Sequence, residues 1–365
     1  MKTLKHTILT VTILVLLPFI KDLGAVAYAQ NWQDVGETDA LVRTLFTDTA
    51  DNLLYIGNFN LKEINGVSYR GVAVWDGNQW DSLGCGMDNY MIVPPFVENP
   101  KQVNAITRFQ GDVYFGGGFH KTGNVWNSYL SKWNGTTWDS LPTTPNQHVY
   151  DLEVINNKLY VVGGYFDSVG TIAADRIAIW DGTIWDTLPP LPATGLISEI
   201  IEYQGEIYIG GNMSDQSGNN LNSIAKFNGS SWEAVGTGFV GGLAQVDDFK
   251  IYNGDLYIAG VWNAGVGGNV GNNIARWDGT TMHDVGGGSG GVNPHIYDLE
   301  VHNGKLYAGG VFTSMGGIPA SKLAVWDGSQ WCATNDIFYN NVFQIAFYQD
   351  TMYIGSGNNV KMEIR

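Results

Sequence analysis

The sequence predicts an all-β fold built from repeated four-stranded antiparallel units, and two recurring patterns lead to this prediction. The first is a short aromatic stretch with Asp-Gly or Asn-Gly near its start, which returns six times at intervals of 47 to 58 residues. Its copies are residues 75–80, 133–138, 180–185, 227–232, 277–282 and 326–331. Each copy predicts a β-hairpin, because the glycine accepts the positive φ of a tight turn and aromatic residues favour strands.

The second pattern is a pair of strands ahead of each hairpin. The inner strand of the pair begins at a valine or isoleucine that is followed three residues later by another apolar residue. These positions are Val42, Val103, Val149, Ile197, Val246, Ile296 and Val342. After a tight polar turn, the second strand carries a tyrosine and ends in glycine; the tyrosines are Tyr55, Tyr114, Tyr160, Tyr208, Tyr257, Tyr307 and Tyr353. Seven inner pairs are therefore present beside six hairpins.

The two ends of the chain account for this difference. Residues 31–36 match the outermost strand of the other units but have no hairpin before them, and residues 360–364 match a third strand that lacks a fourth. Together they would complete a seventh unit, which closes a ring and covers two sheet edges. The sequence therefore predicts a seven-bladed β-propeller of four-stranded antiparallel blades. Residues 30–365 would form this single domain, and the N-terminal strand would close the ring.

The order of these motifs resembles the Kelch repeat, the type found in the central domain of galactose oxidase. The resemblance rests on the inner strand, the tight turn, Tyr-x-x-Gly-Gly, the long loop and the Trp-Asp-Gly turn, and it covers residues 32–365. It implies the propeller fold but no particular activity, because propellers serve as enzymes, receptors and scaffolds. Copper chemistry is not expected, since the histidines are scattered and Cys85 and Cys332 fall on outer-strand segments.

The first 29 residues have the pattern of a cleaved signal peptide, with a basic start, an apolar run over residues 7–20 and a small-x-small site at 27–29. Three lysines and one aspartate leave with it, so the net charge of −16 becomes −18. Such a charge disfavours nucleic acid and anionic membranes as partners. We expect a secreted or cell-surface monomer without stable membrane insertion, whose partner is a glycan or a protein.

Acidic residues recur in the inner strands, which would line the axis of the ring. Two residues after the leading valine or isoleucine, four consecutive units carry a carboxylate at one level, namely Asp151, Glu199, Asp248 and Asp298. Glu153 and Glu300 follow two residues later, with Lys250 in the equivalent place. Oxygen ligands without sulfur or imidazole suit Ca²⁺, so the four residues are a candidate calcium site. The alternative is that each carboxylate accepts hydrogen bonds from backbone N–H groups of the neighbouring unit or from channel water.

Two copies of a His-x-Tyr-Asp pattern offer candidate catalytic residues. His148 and Tyr150 lie at the loop-bearing mouth of the third unit, and His295 and Tyr297 repeat them in the sixth. A His-Tyr pair can perform acid–base chemistry on a sugar, as in propeller lyases and epimerases. Similarity between repeats explains the coincidence equally well.

The loops between second and third strands differ most from unit to unit, so the face that carries them is predicted to bind the partner. Aromatic residues on these loops, and on the links between units that emerge on the same face, would stack on sugar rings or pack within the loops; they are Tyr90, Phe96, Trp126, Tyr165 and Trp262. Without a recognisable catalytic constellation, the sequence favours a non-catalytic binding propeller that presents this face to a glycan or protein. The alternative is a glycan-active lyase, epimerase or hydrolase with its site at the same mouth.

Overall fold

A computed structural model describes residues 31–58, 61, 63–88, 102–242, 244–334, 338 and 340–364. The predicted signal peptide, residues 1–29, lies outside the described residues, and so do Tyr90 and Phe96. Within the described ranges, helical structure is limited to one 3₁₀ turn, Val266–Gly268. No helix in this part of the chain is long and apolar enough to cross a membrane.

The strands are numbered in sequence order. The first group is β1 (Asn31–Asp48), β2 (Leu53–Asn58), β3 (Glu63–Ile64), β4 (Val67–Ser68), β5 (Val72–Trp75), β6 (Trp80–Ser82), β7 (Met87–Asp88), β8 (Gln102–Phe109), β9 (Asp112–Gly118), β10 (Lys121–Thr122), β11 (Val125–Trp126), β12 (Leu130–Trp133) and β13 (Trp138–Asp139). The second is β14 (Val149–Ile155), β15 (Lys158–Gly163), β16 (Ser168–Val169), β17 (Ile172–Ala173), β18 (Ile177–Trp180), β19 (Trp185–Thr187), β20 (Ala193–Tyr203), β21 (Glu206–Asp215), β22 (Ile224–Phe227) and β23 (Trp232–Ala234). The third is β24 (Gln245–Tyr252), β25 (Asp255–Val261), β26 (Ile274–Trp277), β27 (Met282–Asp284), β28 (Ser289–Gly290), β29 (His295–His302), β30 (Lys305–Val311), β31 (Ser314–Met315), β32 (Ile318–Pro319), β33 (Leu323–Trp326), β34 (Trp331–Ala333), β35 (Val342–Tyr348) and β36 (Thr351–Ile364).

Four-stranded antiparallel sheets repeat along the chain, as the sequence predicts. Five of them are separate sheets, ordered β8-β9-β12-β13, β14-β15-β18-β19, β20-β21-β22-β23, β24-β25-β26-β27 and β29-β30-β33-β34. A further run, β1-β2-β5-β6, has the same order within a larger sheet. We call that run unit 1 and the five separate sheets units 2 to 6. The first strand of each is its inner strand, and β35 is the inner strand of the remaining pair, β35-β36.

The Asp-Gly turns between third and outer strands form as predicted. Gly77 has a φ of 99°, and Asp76 Oδ1 accepts hydrogen bonds from the backbone N–H groups of Asn78 at 2.7 Å and Gln79 at 2.8 Å. The same pair of bonds is made in the other hairpins by Asn134, Asp181, Asn228, Asp278 and Asp327. A short side-chain acceptor before the glycine therefore holds every turn.

The two ends of the described chain meet in one continuous sheet. Strand β36 pairs first with β35 and then, from Gly357 to Ile364, with the N-terminal part of β1, which runs on to pair with β2. The resulting order is β35-β36-β1-β2-β5-β6. The expectation that residues 360–364 form a separate third strand is wrong, because residues 356–359 are too few for the long loop that reverses the chain elsewhere.

Every inner strand carries a β-bulge near the end at which the chain enters from the preceding unit. In unit 3, Val149 pairs with Gly163 and Asp151 with Val162, which leaves Tyr150 between them without a partner. The same shift follows the leading residue of the other inner strands, Val42, Val103, Ile197, Val246, Ile296 and Val342. A bulge redirects the side chains beside it, and here it lets two consecutive residues of each strand line one central cavity.

Tryptophans of the hairpins pack between neighbouring units. The rings of Trp133 and Trp138 lie 5.3 Å apart within unit 2, and Trp138 Nε1 donates a 2.8 Å hydrogen bond to the Leu83 carbonyl at the end of unit 1. Trp331 of unit 6 makes the same 2.8 Å bond to Val285 of unit 5. These residues belong to the interface between units, as their repetition predicts, and leave the binding role to other positions.

The loops between second and third strands lie on one face together with the links between units, and we call this the loop face. Strand β10 in one such loop pairs with β7 in a link, and β31 pairs with β28 in the same way. Trp126 and Tyr165 are exposed here, at 65% and 71%. Trp262 is instead buried and stacks on Phe239 at 4.0 Å, so its predicted role in packing within the loop is the correct one.

Candidate functional site

A cavity of about 380 Å³ lies between the inner strands at the level of the bulges. Each inner strand enters from a link on the loop face, so the mouth of this channel cavity opens on that face. The two bulge residues of all seven inner strands line it, from Arg43 and Thr44 in β1 to Phe343 and Gln344 in β35. Its position makes it the candidate site, since clefts lined by convergent polar and aromatic groups are where ligands bind.

The structure brings all four candidate calcium ligands to the wall of this cavity. Three of them accept a hydrogen bond from a backbone N–H of the next inner strand: Asp151 from Ile200 at 3.1 Å, Asp248 from Leu299 at 2.5 Å, and Asp298 from Ile345 at 2.8 Å. These carboxylates tie consecutive inner strands together, as the alternative interpretation of the acidic positions predicts.

The fourth acid, Glu199, lies close enough to Asp151 for the two charges to act on each other. Burial, and after it the charge of Asp151, raises the pKa of Glu199 well above its ordinary value of 4.5. Glu199 therefore takes up a proton more readily than an exposed glutamate does.

Lys250 supplies positive charge to this group of acids. Its Nζ lies 2.9 Å from Glu300 Oε2, and the 32% of its side-chain surface that is exposed faces the channel cavity. Burial alone would lower the pKa of Lys250, but attraction to Glu300, Asp248 and Asp298 outweighs burial and raises it. The ammonium group is therefore charged at every pH at which the acids titrate.

Burial also raises the pKa of the other acids on the wall. Burial raises the pKa of Asp151 to about 6, although hydrogen bonds from the backbone of Ile200 and Leu152 lower it in part. It raises the pKa of Asp248 to about 7, although the positive charge of Lys250 lowers it in part. Burial and then the charge of Asp151 bring the pKa of Glu153 to about 7. The wall of the channel cavity consequently carries fewer negative charges near neutral pH than its number of acidic residues suggests.

These shifts predict that the folded protein is more stable in mild acid than at neutral pH. An acid whose pKa is raised on folding costs nothing below its unfolded pKa of about 4, and the cost grows until the pH passes its folded pKa. For Asp151 a rise from 3.8 to about 6 corresponds to a cost on the order of 3 kcal/mol above pH 7. Urea unfolding between pH 4 and 8 should therefore give a free energy of unfolding that falls as the pH rises through 5 to 7.

Below pH 4 the free energy of unfolding is expected to change in the opposite direction and to fall as the pH falls. Hydrogen bonds lower the pKa of several turn acids on folding, and these are Asp76, Asp181, Asp215 and Asp327. Their contribution is present above pH 4 and is lost as the pH falls further. A stability maximum between pH 4 and 5 is expected, and a maximum at pH 7 or above would contradict the assignment of raised pKa values to the channel.

Within the described residues, no group of three or more His, Cys, Asp or Glu side chains is arranged to hold a metal ion. The oxygens of Asp151, Asp248 and Asp298 are turned to backbone N–H groups, and Lys250 stands where a cation would balance the charge. These contacts favour the interstrand role of the acids, and the calcium site stays a prediction.

The four candidate catalytic residues do not share one cavity. Tyr150 and Tyr297 line the channel cavity, whereas His148 packs against Tyr129, with 5.5 Å between the ring centroids. Burial lowers the pKa of His148, so its imidazole is neutral at pH 7. His295 lies beside Tyr297, at 4.2 Å between rings, and borders a neighbouring groove of the loop face.

His295 also makes a short polar contact at the mouth. Its Nε2 lies 2.5 Å from Asp247 Oδ2, and Gln245 Nε2 donates to the other oxygen of Asp247. Both oxygens of this carboxylate are therefore engaged by neighbouring side chains. The pair orients the imidazole ring, which is the arrangement that acid–base chemistry by a histidine needs.

The mouth has an aromatic wall of which the sequence analysis named only Tyr297. The rings of Tyr297 and Phe343 lie 5.1 Å apart, and the Arg43 guanidinium lies over Phe343 at 5.2 Å from the ring centroid. All three residues are at bulge positions, and they line the channel cavity. Strict alternation along a strand would have pointed them away from the acids, and a bulge has no reliable signal in a single sequence.

Tyr150 forms a second wall in unit 3. It fits against Gly164, where an added Cβ would lie 2.9 Å from the Tyr150 ring, and its charge interaction with Tyr165 shows that the exposed Tyr165 is near. Neither the Tyr150 hydroxyl nor the Tyr297 hydroxyl bonds to another residue in the described part of the chain. Aromatic faces and free hydroxyl groups therefore converge at the mouth.

Solved structures of similar shape show that the chain has a β-propeller fold. No protein-family model matches the sequence, and no curated protein matches it either. The Kelch type of the repeats therefore stays a prediction.

Three of the similar structures illustrate what this fold carries. The extracellular domain of a one-component system from B. thetaiotaomicron aligns with a TM-score of 0.59 at 13% identity, over 93% of this chain and 40% of that one. YCF48 bound to D1 peptide aligns with a TM-score of 0.55 at 12% identity, over 93% of this chain and 99% of that one. A catalytically inactive virginiamycin B lyase from Staphylococcus aureus, with quinupristin, aligns with a TM-score of 0.54 at 11% identity, over 92% of this chain and 99% of that one. At such identities the likeness shows the fold alone, which an extracellular domain, a peptide-bound protein and a lyase share.

Proposed function

We propose that the chain is a secreted, non-catalytic binding protein, a seven-bladed β-propeller closed by its N-terminal strand, which binds a glycan at the mouth of its channel cavity. The aromatic and polar lining of that mouth carries the proposal. Tyr297 and Phe343 form one wall and Tyr150 the other, and Gln102 and Asn104 of β8 line the same cavity. Sugar rings pack on aromatic faces while their hydroxyl groups bond to side chains of this kind.

A cycle of hydrogen bonds between inner strands supports the closed ring of seven. One side chain of each inner strand bonds to the backbone of the next: Thr44 to Val103, Asn104 to Val149, Asp151 to Ile200, Ser198 to Val246, Asp248 to Leu299, and Asp298 to Ile345. Thr47 of β1 bonds to Phe347 of β35 at 3.0 Å, which supports closure between the last and first inner strands.

Secretion and the absence of catalysis rest on different observations. The pattern of residues 1–29 supports export, and one similar structure is itself an extracellular domain. The dispersal of His148 from Tyr150 and Tyr297 supports binding without chemistry. A monomer with no nucleic acid or membrane partner follows from the acidic charge and stays part of the proposal.

The test is binding to a panel of neutral and acidic soluble oligosaccharides, measured by calorimetry with the mature protein. We expect at least one class to bind, and we expect Tyr297→Ala and Phe343→Ala each to weaken it about tenfold or more, because each removes one stacking surface. Ile184→Ala is the control, since Ile184 is 65% exposed on a hairpin turn of the opposite face. Binding of no member of the panel would overturn the glycan function and make a protein partner the leading alternative.

The same samples test the calcium hypothesis for Asp151, Glu199, Asp248 and Asp298. A ligand that binds only the folded state raises the thermal midpoint. A midpoint that rises with millimolar Ca²⁺ and falls again with EDTA would support a metal site, and an unchanged midpoint would leave the interstrand hydrogen bonds as the role of these acids.

A glycan-active lyase, epimerase or hydrolase is the second candidate, and one observation favours it. The oriented pair of His295 and Asp247 lies beside Tyr297, so a histidine and a tyrosine stand together at the mouth. Any oligosaccharide that binds should therefore be incubated with the protein and followed by mass spectrometry. Products that His295→Ala abolishes, with binding retained, would establish the enzyme; intact ligand would support binding alone.

A further inference from the structure

Arg43 at the mouth differs from the other arginines in what it contacts. Three arginines of the described chain pair with carboxylates: Arg108 with Asp48 and Asp51, Arg176 with Asp175, and Arg276 with Asp255. Arg43 makes no ion pair within the residues that the structure describes, and its guanidinium lies over the Phe343 ring. An arginine presents a planar fork of N–H donors that matches a carboxylate or sulfate. Because no carboxylate of the described residues pairs with Arg43, its guanidinium is available to a ligand.

The surroundings place this fork where a bound sugar would lie. Arg43, Tyr297 and Phe343 line the same cavity, and Arg43 is close enough to Tyr297 to act on its hydroxyl electrostatically. A ring stacked on Tyr297 or Phe343 would carry its substituents to the guanidinium. The Arg43 guanidinium lies over the Phe343 ring and makes no ion pair within the described residues, so its N–H donors are left for an anionic substituent.

We propose that the ligand of the channel mouth is an anionic glycan, whose carboxylate or sulfate group pairs with Arg43 while its ring stacks on Tyr297 and Phe343. This inference rests on the proposed glycan-binding function and specifies its substrate class. The inference specifies the charge of the ligand, which the propeller fold alone does not specify.

The acidic wall below the mouth does not oppose such a ligand as strongly as its composition suggests. The carboxylate at the mouth, Asp247, is engaged on both oxygens by His295 and Gln245. Lys250 adds a second positive charge to the same cavity. Burial raises the pKa of Asp248 to about 7, so part of the negative charge of the wall is neutralised at physiological pH.

The experiment compares trisaccharides of similar size that differ in the charged group that each sugar carries. Calorimetric titrations use a trisaccharide of galacturonic acid, its methyl ester, a sulfated trisaccharide and a cationic trisaccharide of glucosamine. We expect an anionic member to bind at least about tenfold more tightly than the methyl ester, as for other charge-assisted hydrogen bonds. The two anionic members distinguish a carboxylate from a sulfate as the group that Arg43 recognises.

Variants of Arg43 connect the selectivity to this residue. Arg43→Gln should lower affinity for the anionic ligand about tenfold to a hundredfold and leave the methyl ester unaffected. Arg43→Lys should recover part of it, because lysine keeps the charge but lacks the fork. Lys158→Gln is the matched control, since it removes the same charge from an exposed position on the opposite face. Arg43 is exposed, so these variants should fold normally.

The outcomes separate this inference from the function beneath it. Equal binding of acid and ester, or preference for the glucosamine trisaccharide, would overturn the anionic ligand and leave glycan binding standing. Binding of acidic ligands that Arg43→Gln does not weaken would also overturn it. Failure of every oligosaccharide in the broader neutral and acidic panel would instead overturn the glycan function itself.

Discussion

Replacing Lys250 with methionine is expected to lower the thermal midpoint of the protein by roughly 5–10 °C at pH 8. The ammonium group lies 2.9 Å from Glu300 and attracts Asp248 and Asp298 as well. Removing one partner of this partly buried ion pair leaves the other charge uncompensated, at a cost of about 2–3 kcal/mol, between the costs for exposed and for fully buried pairs. Methionine keeps the length and volume of the side chain, so the loss measures charge rather than packing. The measurement is thermal unfolding followed by circular dichroism or calorimetry.

The deficit of Lys250→Met should shrink when the pH is lowered to 5. The lysine is charged across this range in the folded and unfolded states, so its own titration contributes no change. Asp248 and Asp298 take up protons instead, because burial raises the pKa of both, so less negative charge is left for the ammonium group to balance. Lys158→Met is the control, because Lys158 is exposed and far from the channel. A deficit that is equal at pH 5 and pH 8 would contradict the electrostatic role of Lys250.

Replacing Gly117 with alanine is the second change expected to have a large effect, a loss of about 3 kcal/mol or more. An added Cβ would lie 1.9 Å from the Gln102 carbonyl oxygen on the paired inner strand, and backbone atoms cannot yield as a flexible side chain does. The measurement is the midpoint of urea unfolding. Gly242→Ala is the matched control, since a Cβ there meets nothing within 4 Å. Equal midpoints for the two variants would show that the inner pair tolerates a side chain at this position.

The same close approach recurs in other units and explains part of the repeat. A Cβ on Gly163, Gly211, Gly260 or Gly310 would lie 2.1 to 2.2 Å from a carbonyl oxygen of its inner strand. Asn58 and Ser356 stand at this place in the two remaining inner pairs, which are the ones that β1 joins into a single sheet. The glycine therefore accompanies the bulge of a separate four-stranded unit.

Sequence periodicity predicted most of the fold because each unit repeats the same local chemistry. The Asp-Gly turns, the tyrosine strands and the shared level of Asp151, Glu199, Asp248 and Asp298 all follow from residue types at fixed spacing. The path of β36 does not follow from residue spacing, because it depends on which neighbouring strand pairs with β36 and not on the residues of β36 alone. Residues 360–364 resemble a third strand and still pair as an extension of the second.

The candidate site was predicted in part, and the bulges explain the difference. Spacing by two identified the acids and Lys250, but it assigned Arg43 and Phe343 to the opposite side of their strands. The bulges bring both residues to the mouth, beside Tyr297. Likewise the pattern shared by His148 and His295 concealed different surroundings, since only His295 has the Asp247 carboxylate against its ring.

The pairing of β1 with β36 also bears on the order in which the molecule folds. Asn31 meets Ile364 in this pairing, so the contact joins residues that are separated by almost the whole described chain. Contacts of such high sequence separation form late, after local hairpins have already gained their stability. Until then β1 presents an unpaired strand edge, which is the kind of surface through which partly folded chains associate. Pairing of β1 with β36 is thus the step at which a chaperone that shields strand edges would matter most.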